Sequence, residues 1–288
     1  MKFEVYSDVH ASTIPPRGEM YFSHSFVKTQ DYGAYVRREG AEFTVNLGDI
    51  CEFTGDPAVD EASFNRAMGP RLFGRSPYIH VLGNHDVAFG TKAEFYDRIK
   101  HPFRARPGMP ANFRFPELPA IPVTPENSPY FSFVRGGWKF IALDTNYDET
   151  GASIENKLVR AVTYINKAQL EWLARELSDG MRTVILTHAN LDPRMVDGKL
   201  HPCVLGNADE VRAILEKAGN VKLVLQGHAH EGAYTVENGI PYVTLRATVL
   251  GQYPESYAVA VVDLQDEPLR DTAPGRPDLG GRLDHELV

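Results

Sequence analysis

The feature that most constrains this chain is a repeated transition, in which five short apolar runs each end abruptly in polar, hydrogen-bonding side chains. Residues 3–6 lead into Ser7-Asp8-Val9-His10, and residues 43–47 lead into Gly48-Asp49. Residues 78–82 lead into Gly83-Asn84-His85-Asp86, residues 183–186 into Thr187-His188, and residues 221–225 into Gln226-Gly227-His228-Ala229-His230. Short apolar runs bounded by turn signals read as buried strands. Helix-period segments lie between them at 25–38, 167–178 and 207–218, the last with Asn207 as the expected N-cap and Gly219 just past its end. Strands alternating with helices predict βαβ units and a largely parallel sheet, whose ligands bind beyond the carboxyl ends of the strands. All five polar clusters fall at those ends. Burying such groups unpartnered costs about 2–7 kcal/mol each, so they must serve one another or a ligand.

A second set of strands follows a different rule. Residues 130–134 and 138–143 flank Arg135-Gly136-Gly137, and residues 233–236 and 240–245 flank Glu237-Asn238-Gly239, two hairpin signals. Residues 256–264 are expected to close this set. Both patterns are met by an α/β fold, a four-layer αββα sandwich of two mixed sheets flanked by helices, over residues 1–264. Residues 102–129 carry eight of the twenty prolines without helical or strand period, and read as a loop, with a lid or rim over the site as the sharper reading. Residues 265–288 are polar and read as a tail or as an arm that embraces a neighbouring subunit in a homo-oligomer.

Composition narrows the partners. A net charge of −8 argues against a broad grip on nucleic acid. Two cysteines, Cys51 and Cys203, make neither a disulfide framework nor a cysteine zinc site. The start of the chain does not read as a secretory signal, and no apolar run reaches the roughly 20 residues of a membrane helix. A cytoplasmic protein without membrane contact is the expectation.

The strand-end residues Asp8, His10, Asp49, Asn84, His188, His228 and His230 comprise four imidazoles, two carboxylates and one amide. Mixed nitrogen and oxygen donors suit Mn, Fe or Zn better than Mg²⁺ or Ca²⁺. Seven donors exceed what one metal with an open position needs, and suit two metals sharing a carboxylate. In Asp8-Val9-His10 and His228-Ala229-His230 the donors stand at i and i+2, on one face of an extended chain.

These motifs, Asp-x-His, Gly-Asp-x-x, Gly-Asn-His-Asp, an isolated His and Gly-His-x-His, occur in the order of the calcineurin-like metallophosphoesterases, which the chain resembles over residues 1–264. The resemblance implies that Asp8, His10 and His230 hold one divalent or trivalent transition metal, that Asn84, His188 and His228 hold a second, and that Asp49 bridges them. It further implies a hydroxide shared by the metals as nucleophile, His85 facing the leaving-group oxygen, and Asp86 orienting His85. Glu52 stands where purple acid phosphatases carry a metal-binding Tyr, and the second and third motifs lack the Asp-Arg-Gly and the Glu of protein Ser/Thr phosphatases. The expected activity is hydrolysis of a phosphodiester or pyrophosphate bond in a small, nucleotide-like molecule. Phosphomonoester hydrolysis is the alternative, with a nuclease or a non-catalytic scaffold behind it. Substrate contacts are expected from Asn146 and Asn190 near strand ends and from Arg104, Arg106 and Arg114 in the long loop. Glu52 reads as a group behind the metal ligands, and His80 as a core or edge histidine.

Overall fold

The computed structural model describes residues 1–68, 77–100, 129–156 and 160–265. Arg104, Arg106, Arg114, the loop expected at 102–129 (up to residue 128) and the tail beyond 265 lie outside the described residues. Two sheets face each other. The smaller has the order β12-β1-β2-β3, with β1 Lys2–Tyr6, β2 Thr44–Asn46, β3 Tyr78–His80 and β12 Ala260–Asp263. The larger has the order β10-β11-β9-β6-β5-β4, with β4 Phe131–Arg135, β5 Trp138–Ala142, β6 Thr183–Leu186, β9 Val221–Gln226, β10 Ala233–Glu237 and β11 Ile240–Thr244. A small hairpin, β7 Met195–Val196 and β8 Lys199–Leu200, stands apart.

Side-chain alternation along the strands produces the layers. Phe3 and Val5 of β1, with Leu223 and Leu225 of β9, enter the apolar seam between the sheets. The opposite face of β1 sends Tyr6 toward Phe26 and Tyr32 of α1 (Ser25–Glu39), and Val224 of β9 meets Val211 and Leu215 of α5 (Ala208–Ala218). Period-2 strands buried on both faces thus require helices outside both sheets. α2 (Pro57–Ala67) and α3 (Lys92–Lys100) complete one outer layer, and α4 (Lys167–Glu176) joins α5 in the other. The αββα sandwich is the expected one.

Three details depart from the expectation. The strand within 256–264 spans only Ala260–Asp263, and it pairs antiparallel with β1 in the smaller sheet instead of closing the hairpin set. Its partner lies at the other end of the chain, a pairing that no local pattern specifies. Helices α2 and α3 are not among the expected helices, yet α2 has a legible start: Asp56 accepts from the backbone of Ala58 and Val59, and Pro57 opens the helix. Asn207 does not cap α5 with its side chain; that amide instead exchanges two hydrogen bonds with the backbone of Ile165.

The segment from Ala247 to Gly251 joins the sheets to α1 through one buried cation. Lys28 Nζ donates to the carbonyls of Thr248, Leu250 and Gly251 at 2.9, 2.7 and 2.8 Å. Burial lowers this amine to about 8. The same segment donates backbone hydrogen bonds from Ala247 to His230, from Thr248 to Ser7 and from Val249 to Asp8. Lys28 thereby holds the turn on which two of the polar clusters rest. Replacing it with Met would leave three carbonyls short of a donor, at about 1–3 kcal/mol for each one that stays buried. Urea unfolding of Lys28→Met should show a loss of at least about 2 kcal/mol, and a change below about 0.5 kcal/mol would refute the clamp.

Candidate metal centre

Strands β1, β2 and β3 are mutually parallel, as are β5, β6, β9 and β11, so their carboxyl ends open on one side. The chain leaves these ends in an unusual way. Asp8, His10, Asp49 and His228 all adopt left-handed backbone, with φ of 53°, 43°, 57° and 67°. For residues with a Cβ such conformations cost about 1–3 kcal/mol each and persist where the surroundings enforce them. Glycines give these turns their space. A Cβ on Gly83 would come within 2.1 Å of Asp49 Oδ1, and one on Gly227 within 2.0 Å of Ser7 Oγ. The Gly-Asn-His-Asp and Gly-His-x-His motifs therefore begin with glycine because neighbouring strand ends touch there.

Of three groups among the described residues that could each hold a metal ion, one being His10 with Glu52 and His85, the sequence-derived donors form two, Asp8 with His10 and His230, and Asp49 with His188 and His228. Asp49 joins them: its Oδ2 lies 3.5 Å from His10 Nε2 and 3.3 Å from His188 Nε2. Asn84 Oδ1 is 2.9 Å from the same His188 nitrogen, and His230 Nε2 is 3.5 Å from Asp8 Oδ1. All seven sequence-derived donors thus meet. On three of the four imidazoles the inward nitrogen is selected by a hydrogen bond on the opposite one. His10 Nδ1 donates to Glu52 Oε2 at 2.8 Å, His188 Nδ1 to the Leu47 carbonyl at 2.8 Å, and His228 Nε2 to the Ala161 carbonyl at 3.0 Å. In the neutral rings that leaves Nε2 of His10, Nε2 of His188 and Nδ1 of His228 as the lone pairs a cation would take, in place of the protons they otherwise hold. Among the described residues Asp8 Oδ1 and His10 Nε2 are buried with no hydrogen-bond partner, as expected of atoms reserved for a cation. The donor set fits two transition metals.

Electrostatics point the same way. Burial opposes ionisation of Asp8 and Asp49, but the surrounding histidines prevail and hold both carboxyls well below their usual range. Burial likewise opposes protonation of His10, yet its contacts with Asp8 and Glu52 lift it to about 10; His188 is lifted against burial to about 9, chiefly by Asp49. Burial and the neighbouring His188 pull His228 down to about 4. The cluster is a cation trap, and protons fill it when nothing stronger does.

Other expectations need correction. Asp86 does not orient His85. Its carboxylate accepts from the backbone of Asp49, Ile50 and Gly83 at 2.9, 3.0 and 2.9 Å, and from His80 Nε2 at 2.8 Å. Asp86 therefore fixes the two motif loops, with His80 as its buried partner. The carboxylate beside His85 is Glu52, whose Oε2 lies 3.4 Å from His85 Nδ1. Asn146 and Asn190 are buried, and their amides donate internally, Asn146 to Leu82 and Asp144, Asn190 to Thr244. Both brace strand ends rather than present a surface to substrate. Glu52 stands behind the metal ligands as its motif position suggests, whereas Lys28 acts through residues far away in sequence and no local motif announces its role.

The family model of calcineurin-like phosphoesterases matches residues 1–232. The chain belongs to this family. This phosphoesterase is 27% identical over 249 residues, 79% of the chain and 77% of the relative, to the manganese-dependent ADP-ribose/CDP-alcohol diphosphatase of Arabidopsis thaliana. It is 23% identical to the protein of the same name from Oryza sativa, covering 86% of the chain and 83% of that relative. Its fold matches a dimetal phosphatase from Danio rerio with a TM-score of 0.73 at 19% identity, covering 92% and 93% of the two chains. It is a metal-dependent hydrolase of phosphoester bonds, and among its described residues no helix is long and apolar enough to cross a membrane.

Metal ions compete with the protons on His10 and His188. Both rings carry a proton at pH 7.5 in the metal-free protein, because about 10 and about 9 lie above that pH. Loading with Mn²⁺ must then release roughly two protons per chain, and apparent affinity must rise with pH up to that range. Calorimetry in buffers of different ionisation enthalpy should read this release; binding without it would contradict the assignment.

Proposed function

We propose that this phosphoesterase cleaves the pyrophosphate linkage of a small nucleoside-diphosphate compound, of the ADP-ribose or CDP-alcohol kind, with Mn²⁺ as the working metal. The observation that carries the substrate class is the similarity, over most of both chains, to the Arabidopsis diphosphatase. In this reading Asp8, His10 and His230 would hold one metal, Asn84, His188 and His228 the other, and Asp49 would serve both. Two metals bound there supply an activated water and clamp the oxygens of an in-line displacement at phosphorus.

The chain's own residues do the remaining work. Asp49 Oδ1 accepts from the backbone N–H of His85 at 2.8 Å, so the bridging carboxylate and the leaving-group residue are placed together. The His85 ring stands 4.6 Å from that of His10, at the open side of the first group. Burial lowers its pKa, so at neutral pH it is largely the neutral imidazole, which still donates an N–H to a departing oxygen. Glu52 faces both His10 and His85, and we assign it the positioning role that the sequence had suggested for Asp86.

The test is turnover of ADP-ribose, CDP-choline, bis-p-nitrophenyl phosphate and p-nitrophenyl phosphate by the Mn²⁺-loaded protein. A diphosphate should be cleaved at least about tenfold more efficiently than the monoester. His85→Ala should lose about 10²–10⁴ in kcat with its metal content intact. Preference for the monoester would replace this reading with that of a phosphatase.

A further inference from the structure

Arg17 has no part in the reading above, yet it is held at the edge of the site. It opens a tight turn in which Arg17 N donates to Met20 O at 3.1 Å and Met20 N to Arg17 O at 3.0 Å. Met20 is bridged in turn to Leu250, in the segment that Lys28 clamps. The guanidinium carbon lies 5.6 Å from the ring centroid of buried Phe22. Its Nη1 is 3.5 Å from Glu52 Oε1, while the other oxygen of Glu52 faces His10 and His85. In spite of these restraints, 66% of the Arg17 side chain is exposed. An exposed pair of this kind adds little to stability. What the arrangement provides is a cation, open to solvent, paired with the carboxylate that also faces His85.

The chemistry proposed for the substrate leaves a task for such a cation. The oxygen of water bonds to one phosphorus and the bridging P–O bond breaks. Its electron pair stays on the bridging oxygen, which departs on the second phosphate, while the proton lost by the water goes to solvent. That leaving group is a phosphate monoester with close to two negative charges at neutral pH, where a simple diester would release an alkoxide. One N–H from His85 reaches one oxygen; the remaining oxygens call for a planar, multidentate donor, which is what a guanidinium offers. We propose that Arg17 binds the departing phosphate and thereby makes the enzyme select diphosphates over simple diesters. The inference rests on the substrate reading above for its reaction, and on the ion-pair geometry for its place.

The experiment compares wild type, Arg17→Ala and Arg17→Lys as Mn²⁺-loaded full chains. One readout is the ratio of kcat/KM for ADP-ribose to that for bis-p-nitrophenyl phosphate, whose leaving group carries no phosphate. The other is the inhibition constant of AMP against hydrolysis of the diaryl ester. Arg17→Ala should lower the ratio roughly 10- to 100-fold and weaken AMP by at least about tenfold, with Lys restoring part of each. The inference is overturned if ratio and inhibition constant both stay within about threefold, or if both substrates decline in parallel. If wild type cleaves no diphosphate but AMP still weakens in Arg17→Ala, the substrate reading fails while the phosphate site stands.

Discussion

The centre depends on one carboxylate held between two imidazoles. Asp49 Oδ2 faces His10 and His188, and its Oδ1 accepts from the His85 backbone. None of that would be possible if Asp49 continued β2 as a regular strand. Its left-handed φ of 57° turns the side chain inward, and Asp86 holds the turn by accepting from the Asp49 N–H. Gly83 leaves room for the carboxylate where a side chain would collide with it. Local strain, a buried anchor and a missing Cβ thus combine to place one group that both halves of the site share.

Strain of this kind is affordable because the two sheets underneath are rigid. Their common apolar seam packs Phe3, Phe43 and Phe140 edge to face and stacked, with ring centroids 5.0–5.4 Å apart. Contacts across the sheets then couple the loops, as when His228 N donates to Asp8 Oδ2 at 3.0 Å and His188 Nδ1 to the Leu47 carbonyl at 2.8 Å. Each sheet supplies part of each metal group, so neither group exists without the sandwich. The buried carboxylates and the orphaned atoms of Asp8 and His10 are tolerable in a folded protein when a cation compensates them.

Much of this was legible in the sequence, for a physical reason. A buried strand that ends in Asp, Asn or His is a costly pattern, and five such endings in order leave few explanations. The layers followed from period-2 strands between amphipathic helices. What escaped notice depends on contacts distant in sequence. The antiparallel partner of β1 is more than 250 residues away, Lys28 meets carbonyls at 248–251, and Glu52, expected behind the metal ligands, also stands beside His85 only after folding. Adjacency misled in one place: Asp86 follows His85 directly, but its carboxylate turns back to Asp49, Gly83 and His80. Asn146 and Asn190 stand at strand ends, as a substrate contact would, yet lie inside and brace them.

The position of Asp49 between the two groups implies that it would unite two metals in one site. Electron paramagnetic resonance of the protein titrated with Mn²⁺ tests it most directly, because two ions sharing a carboxylate are exchange-coupled and separated ions are not. The wild type should give a coupled dinuclear spectrum that collapses to isolated Mn²⁺ signals in Asp49→Asn. A wild-type spectrum of isolated ions only, or a coupled spectrum that survives in Asp49→Asn, would contradict it.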